Sequence, residues 1–397
     1  MSGSLVSAAT ACAFLASVLG FVSISASHTA LGAALALLIA ARQRLRCPPI
    51  LLPLGLFLGW TVISALASGD AAEALPQIKK FYVFAMLPVL YTLFSTAAAA
   101  RRLTEGWFVA GFAASLAALV QFGKKWFDAR EAGEPFLTAY TPDRITGFFS
   151  HWMTFSQALL IICLMGAAFL LFSRSARQAR GLWTAVVAIV GAALVLSFTR
   201  SVWLGGAAGL AYLLARWRPR LLWGAPILLI AALALAPQPL RQRLRSIADP
   251  GANQARLIMW RTGVNMIAAR PLVGVGPEHI SPDFRRYMPA DVHELPPAFY
   301  GHLHNMYVHY AAERGVPALV ALVWLLGKIL LDWVRALRRL GPERSDRRFL
   351  LEGGVAAVAG IAIVGLFDVT LGDSEVLGAF LGLTAVGYRG AESRRLE

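Results

Sequence analysis

The stretch FSHWMTFSQALLIICLMGAAFLLF, at residues 149–172, contains no Asp, Glu, Lys or Arg. An α-helix needs about 20 consecutive apolar residues to cross the hydrocarbon core of a bilayer, which is about 30 Å thick. Runs of this kind recur along nearly all of the 397 residues, of which 57% are hydrophobic and only 15% are charged. The sequence therefore predicts an all-α, polytopic membrane protein with about twelve transmembrane helices.

Most of the predicted spans are separated by short connections. The first run, Leu5 to Ile24, has no basic amino-terminal region and no cleavage site, so we expect a retained helix rather than a signal peptide. The spans are expected at about residues 5–25, 28–41, 48–67, 81–100, 106–123, 149–172, 181–198, 201–216, 220–236, 315–334, 351–369 and 374–388.

Lys and Arg are concentrated in alternate connections, and this pattern predicts orientation because cytoplasmic loops are enriched in both residues. We therefore expect both termini in the cytoplasm. The net charge of +15 belongs to these short loops, so we expect no nucleic-acid binding, and the three cysteines imply no disulfide framework. The basic connections are 42–46, 101–102, 174–180, 216–220, 335–348 and 389–395.

Two connections on the opposite side are long, at residues 124–148 and 237–314. A connection as long as the second is usually functional, and its Pro-rich and aromatic stretches favour a segment folded against the membrane. We therefore divide the chain into three parts. Residues 1–236 hold helices one to nine, residues 237–314 form a large, partly helical loop, and residues 315–397 hold helices ten to twelve and a cytoplasmic tail.

The large loop ends in the segment GHLHN, residues 301–305, which places two histidines at the predicted membrane edge. Helical spacing aligns Asn305, His309 and Glu313 on one face, with His304 at or just before the start of that helix. A neutral imidazole there could take a proton from a hydroxyl group. The alternative for His304 is a structural histidine at a polar–apolar boundary.

A metal site is not expected from this segment. His302 and His304 alone are too sparse, and no His-x-x-Glu-His motif or cysteine cluster completes a ligand set. We therefore expect neither a metal nor a cofactor.

Arg200 opens the eighth predicted span, which enters the membrane from the non-cytoplasmic side. A cation at a helix N-terminus opposes the helix dipole, an arrangement that makes sense if both attract the same anion, such as a phosphate. The alternative is an arginine that extends to the lipid headgroups. Arg144 and His151 flank the entry to the sixth span, but they carry no specific motif.

The large loop also contains Arg256 and Trp260, which lie four residues apart and hence on one helix face, whereas Arg261 points elsewhere. As a lone motif, Arg256 is better read as a surface charge. The Gly-x-Gly at Gly274 and Gly276 follows this helical stretch without a preceding strand, so it predicts a tight turn rather than a nucleotide site.

Taken together, these blocks resemble the O-antigen ligase family of bacterial lipopolysaccharide assembly, which shares its core with O-antigen polymerases and some protein O-oligosaccharyltransferases. The matched blocks lie between Arg144 and Leu326. The similarity rests on Arg200-x-x-x-Leu204, on Arg256-x-x-x-Trp260 leading into Pro271-Leu272-x-Gly274-x-Gly276, and on His302 and His304-Asn305 followed by Glu313 and Gly315.

The resemblance implies a metal-independent, inverting glycosyltransferase of GT-C-like architecture in the bacterial inner membrane, with a periplasmic site. The donor would be O-antigen on undecaprenyl pyrophosphate, and the acceptor a sugar of the lipid A–core. His304 would be the general base, with Arg200 and Arg256 clamping the pyrophosphate. The other substrate-binding residues would be Arg144, Arg261, His302, Asn305 and Glu313.

Two alternatives remain open. The ligase signature usually has Gly, Thr or Tyr where this chain has Ala318, so a polymerase or oligosaccharyltransferase of the same superfamily is the runner-up. A transporter of lipid-linked glycans is less favoured, because transporters usually place polar residues within mid-membrane helices. In this chain the polar cluster lies at the membrane edge.

Overall fold

The structure is a computed structural model, and it describes residues 2–224, 238–245, 253–296 and 298–392. Within these ranges all regular secondary structure is helical. The α-helices are α1 Ser2–Leu19, α2 Ile24–Ala40, α3 Leu51–Ala67, α4 Leu75–Lys79, α5 Met86–Leu93, α6 Ala97–Glu131, α7 Phe136–Tyr140, α8 Trp152–Phe172, α9 Arg180–Leu196, α10 Arg200–Trp217, α11 Gln238–Arg245, α12 Gln254–Ala269, α13 Ile280–Tyr287, α14 Met306–Arg314, α15 Val316–Arg339, α16 Asp346–Val364 and α17 Ser374–Ala391.

Three of the described helices, α6, α8 and α15, are long and apolar enough to cross a membrane, and α1, α2, α3 and α9 are shorter apolar helices. This all-helical, apolar architecture is that of a multi-pass membrane protein. The count of twelve spans stays a prediction. Most of the ninth predicted span, 220–236, lies outside the described residues, and a short 3-10 helix, Pro219–Trp223, overlaps its start.

The predicted single span at 81–100 is wrong. Residues Lys80–Ala85 form a 3-10 helix, α5 ends at Leu93, and a new helix begins at Ala97. The Thr96 hydroxyl caps this new helix by accepting a hydrogen bond from the backbone N–H of Ala99 at 3.1 Å. Helix α6 then continues for 35 residues into the segment at 124–131 that we expected to be a loop.

The helices that carry the site are brought together by close packing of α10 against α16. A Cβ atom on Gly205 would lie 2.6 Å from the carbonyl oxygen of Gly360, and one on Gly209 would lie 3.1 Å from that of Ala356. Small residues at such crossings let two backbones approach closely. The pairing runs antiparallel, so the start of α10, at Arg200, lies beside the end of α16.

The described part of the large loop has its own small apolar core, formed by α12, α13 and α14 with the segments between them. The Gly-x-Gly turn closes this unit against α14, because the N–H groups of Val275 and Gly276 donate to the carbonyls of Ala312 and Glu313, both at 2.9 Å. Gly315 has a φ of +86°, and a Cβ there would lie 2.0 Å from the Leu272 carbonyl oxygen. The core residues are Ile258, Met259, Met266, Val275, Ile280, Phe284, Leu303 and Ala312.

Candidate active site

The start of α14 is fastened to the end of α16 by Asn305 and its neighbour. The Asn305 side-chain oxygen accepts from the backbone N–H groups of Tyr307 and Val308, each at 3.0 Å. Its amide nitrogen donates to the Leu366 carbonyl at 3.0 Å, and the Met306 N–H donates to the Gly365 carbonyl at 2.7 Å. Asn305 is thus an N-cap whose amide atoms are already used, and its predicted contact with substrate stays a prediction.

This attachment brings His304 to Asp368, in the connection between α16 and α17. The His304 Nδ1 atom lies 3.6 Å from Asp368 Oδ1, just beyond hydrogen-bonding distance. The carboxylate is itself fixed, because Gln157 Nε2 donates to Oδ2 at 2.5 Å and the Val369 N–H donates to Oδ1 at 2.9 Å. The arrangement can hold an imidazole ring by one nitrogen and leave the other for chemistry.

The backbone of His304 is strained, with a φ of +46°. Only a few per cent of residues other than glycine adopt positive φ, and such strain is commonly found at functional sites. The hydrogen bonds on both sides of the Asn305 cap hold this conformation in place. The local geometry therefore singles out His304 among the histidines of the segment.

His302 packs edge-on against His304, with 4.1 Å between the ring centroids. Burial, together with the neighbouring His304, lowers the pKa of His302 to about 3. The His302 imidazole is therefore neutral at physiological pH and a weak base, which favours a role in packing or hydrogen bonding.

Four arginines converge beside this histidine–carboxylate pair. Burial and the nearby charges of Arg243, Arg200 and Arg256 lower the pKa of Arg144 to about 9. Burial lowers the pKa of Arg243 to about 10, and the positive charges of Arg200 and Arg256 contribute to this shift. Arg144 is buried and the other three are half-buried. Guanidinium groups of like charge oppose one another in such surroundings, so this cluster is suited to an anion.

The turn between α9 and α10 anchors part of the arginine cluster. Phe198 has a φ of +52°, and its carbonyl oxygen accepts from Arg144 Nη1 at 3.4 Å and from Arg243 Nε at 3.2 Å. Arg200, the first residue of α10 as the sequence predicted, donates from Nη2 to Asn253 Oδ1 at 3.2 Å.

Arg256 links the arginine cluster to the histidine. Burial lowers the pKa of Arg256, and the negative charge of Asp368 partly offsets that shift. Since Asp368 also faces His304, the cationic cluster and the imidazole lie around one region of the protein.

Two of the predicted site residues lie elsewhere. Arg261 makes two hydrogen bonds to Asp291, at 2.9 and 2.6 Å, and both side chains are more than half exposed. Glu313 is 2% exposed and accepts from Arg314 Nε at 3.0 Å and from the Glu278 N–H at 2.8 Å. The described contacts join neither residue to the arginine cluster, and their predicted contact with substrate remains untested.

Sequence reasoning missed Asp368, Gln157 and Arg243. Asp368 lies in a short connection that drew attention only for its lack of basic residues, although it is an acidic group on the same side as the histidine segment. Gln157 lies inside an apolar span, where a buried amide is a usable signal. Arg243 is one of three arginines in α11, and nothing in that helix distinguishes it.

A cation could be held by His302, His304 and Asp368, since one ligand atom from each lies within 4.8 Å of the others. Ligand atoms around tetrahedral zinc stand roughly 3.3 Å apart, given zinc–nitrogen bonds of about 2.0 Å. The three side chains would therefore have to close further around a metal. The expected absence of a metal stays a prediction.

The comparison with known families concerns the part of the chain that carries most of these residues. The family model described as O-antigen ligase matches residues 185–323. This segment includes Arg200, Arg256 and His304, while Arg144 and Asp368 lie outside it. No curated protein matches the chain. Across residues 185–323 the chain is therefore similar to the O-antigen ligase family.

Proposed function

We propose that this protein is an O-antigen ligase, which transfers O-antigen polysaccharide from undecaprenyl pyrophosphate to a sugar of the lipid A–core at the periplasmic face of the bacterial inner membrane. The observation that carries the proposal is the convergence of Arg144, Arg200, Arg243 and Arg256 beside the His304–Asp368 pair. The arginines could bind the leaving pyrophosphate, and the His304–Asp368 pair could take the proton of the attacking hydroxyl.

The arginine cluster would bind the donor through its pyrophosphate. Two like charges 4 Å apart repel by about 4 kcal/mol near a protein surface, and an anion between them converts this repulsion into attraction. Guanidinium groups bind phosphate oxygens with two parallel hydrogen bonds, which are stronger than neutral ones. Charge that develops on the leaving oxygen would be stabilised without a metal.

His304 would act on the acceptor. With Nδ1 directed at Asp368, Nε2 can take the proton from the acceptor hydroxyl as its oxygen bonds to the anomeric carbon. The bond from that carbon to the phosphate oxygen breaks, and its electron pair leaves with undecaprenyl pyrophosphate. Attack from the face opposite the leaving group inverts the anomeric configuration. The Asp368 carboxylate stabilises the imidazolium that forms.

The direct test is to incubate the purified protein with O-antigen on undecaprenyl pyrophosphate and with lipid A–core. We expect a lipid A–core that carries O-antigen, formed equally well in the presence of EDTA. Growth of the lipid-linked chain without use of the core would instead indicate a polymerase of the same superfamily. Loss of activity in EDTA that Zn²⁺ or another divalent cation restores would support a metal at His302, His304 and Asp368.

A further inference from the structure

A cavity of about 550 Å³ opens at the end of α15 that is remote from His304. Its wall contains Lys328, Arg335 and Arg339 of α15, with Arg347 of α16. The pattern of Lys and Arg along the chain predicts that this end of the bundle is cytoplasmic.

Most of the positive charge in this cavity is uncompensated. Lys328 pairs with Asp332 at 2.8 Å. Arg347 donates to the carbonyl oxygens of Gly390 and Ala391, which leave its charge in place. Among the described residues, no carboxylate forms an ion pair with Arg335, Arg339 or Arg347. Three guanidinium groups therefore line the cavity without an ion pair of their own, whereas the cavity's other carboxylate, Glu392, pairs with Arg389. This excess of positive charge attracts a phosphate group.

An apolar crevice lies one helical turn further into the bundle. It is lined by residues of α3, α5, α14, α15 and α17, and three of these helices, α5, α15 and α17, also contribute to the cavity. On three of them, neighbouring residues line first the crevice and then the cavity, as in Leu87 and Tyr91, Leu325 and Lys328, and Thr384 and Tyr388. The crevice is narrow, with about 30 Å³ of free volume, so an acyl chain would lie in its mouth.

We propose that this cavity binds an anionic phospholipid, with the headgroup phosphate among Arg335, Arg339 and Arg347 and an acyl chain against the crevice. The polar, cationic cavity matches the headgroup of a lipid molecule, and the adjoining apolar crevice matches its acyl chain. Basic pockets between transmembrane helices on the cytoplasmic side bind acidic headgroups elsewhere. A free phosphate ion would use the arginines alone, whereas a lipid would use both features.

The test is native mass spectrometry of the full-length protein in detergent with added phosphatidylglycerol. The variant is Arg335→Ala with Arg339→Ala, and the matched control is Arg338→Ala, which removes an exposed arginine from the same helical turn but does not line the cavity. Each basic residue near a lipid surface adds to the attraction, so the double variant, which lacks two, should retain the lipid about 30-fold less well. The control should bind like the unmodified protein.

Other lipids and inorganic phosphate, added in the same assay, identify the source of the phosphate group. Phosphatidylcholine should bind weakly, and dihexanoyl phosphatidylglycerol should bind less well than the dioleoyl form because it lacks the chain that contacts the crevice. Equal retention of phosphatidylglycerol by the double variant and by Arg338→Ala would overturn the proposal. Displacement of the lipid by millimolar inorganic phosphate would overturn it too, because it would reveal a simple anion site.

Discussion

The Nδ1 atom of His304 lies 3.6 Å from Oδ1 of Asp368, although the two residues belong to different connections of the bundle. One comes just before α14, and the other follows α16. Their approach depends on Asn305, whose side-chain amide bonds to the Leu366 carbonyl, and on Gln157, which holds the carboxylate from α8. The placement of His304 beside Asp368 is therefore set in part by contacts with other segments of the chain.

Asp368→Asn should slow ligation while leaving the fold intact, because the amide keeps the shape of the side chain but cannot stabilise an imidazolium ion. We expect kcat to fall roughly 10²–10⁴-fold with little change in donor binding. The control is Asp373→Asn, which alters an exposed carboxyl group that accepts a hydrogen bond from Thr154. Turnover by Asp368→Asn at the unmodified rate would show that the carboxylate does not assist His304.

Arg256→Ala and Arg261→Ala provide a matched pair on α12. Arg256 is half-buried in the cationic cluster, whereas Arg261 is exposed and paired with Asp291. We expect the first to lower kcat by about 10²–10³-fold, as the loss of one transition-state donor does, and the second to stay near the unmodified rate. Arg256→Lys should recover only part of the loss, because it cannot form the bidentate contact.

Arg243→Ala extends this comparison to a residue that no sequence motif marks. Its loss should resemble that of Arg256→Ala in ligation assays with the purified protein. Equal losses for Arg256→Ala and Arg261→Ala would remove the pyrophosphate clamp from consideration.

Only some residues of the candidate site could be predicted from the sequence, and there is a physical reason why the others could not. Arg200, Arg256 and His304 occur in local spacings that a reader can recognise, and α8, α9 and α10 begin within three residues of the expected spans. Asp368 and Arg243 have no such spacing, because the fold alone brings them to the site. The break near Phe94 was missed because apolar composition continues across it while Thr96 caps a new helix.

The stability of the protein should fall as the pH drops below about 6.5, the ordinary pKa of histidine. His302 keeps a folded-state pKa of about 3, and burial also lowers that of His309. The unfolded chain therefore binds protons that the folded one does not, and stability is lost between about pH 6.5 and pH 3. Thermal unfolding should show a shallower decline for His302→Gln over this range. An identical pH profile for both proteins would contradict the buried, neutral state of His302.

Single cysteines can test the orientation predicted from the basic connections, in a background in which Cys12, Cys47 and Cys163 are replaced. Ala290 and Pro342 are both exposed and lie near opposite ends of the bundle. An impermeant thiol reagent added from the periplasm should label Ala290→Cys and leave Pro342→Cys unlabelled. The reverse pattern would place the His304 site in the cytoplasm.

We expect His304 to act on the acceptor and not on the pyrophosphate. This role is tested by ligation with purified His304→Ala, with binding of the undecaprenyl-linked donor measured on the same sample and His309→Ala as the control. We expect the rate to fall by about 10²–10⁴-fold, donor binding to stay nearly intact, and His309→Ala to lose far less. Substantial turnover by His304→Ala, or a loss of donor binding equal to the loss of rate, would contradict the role of His304 as general base.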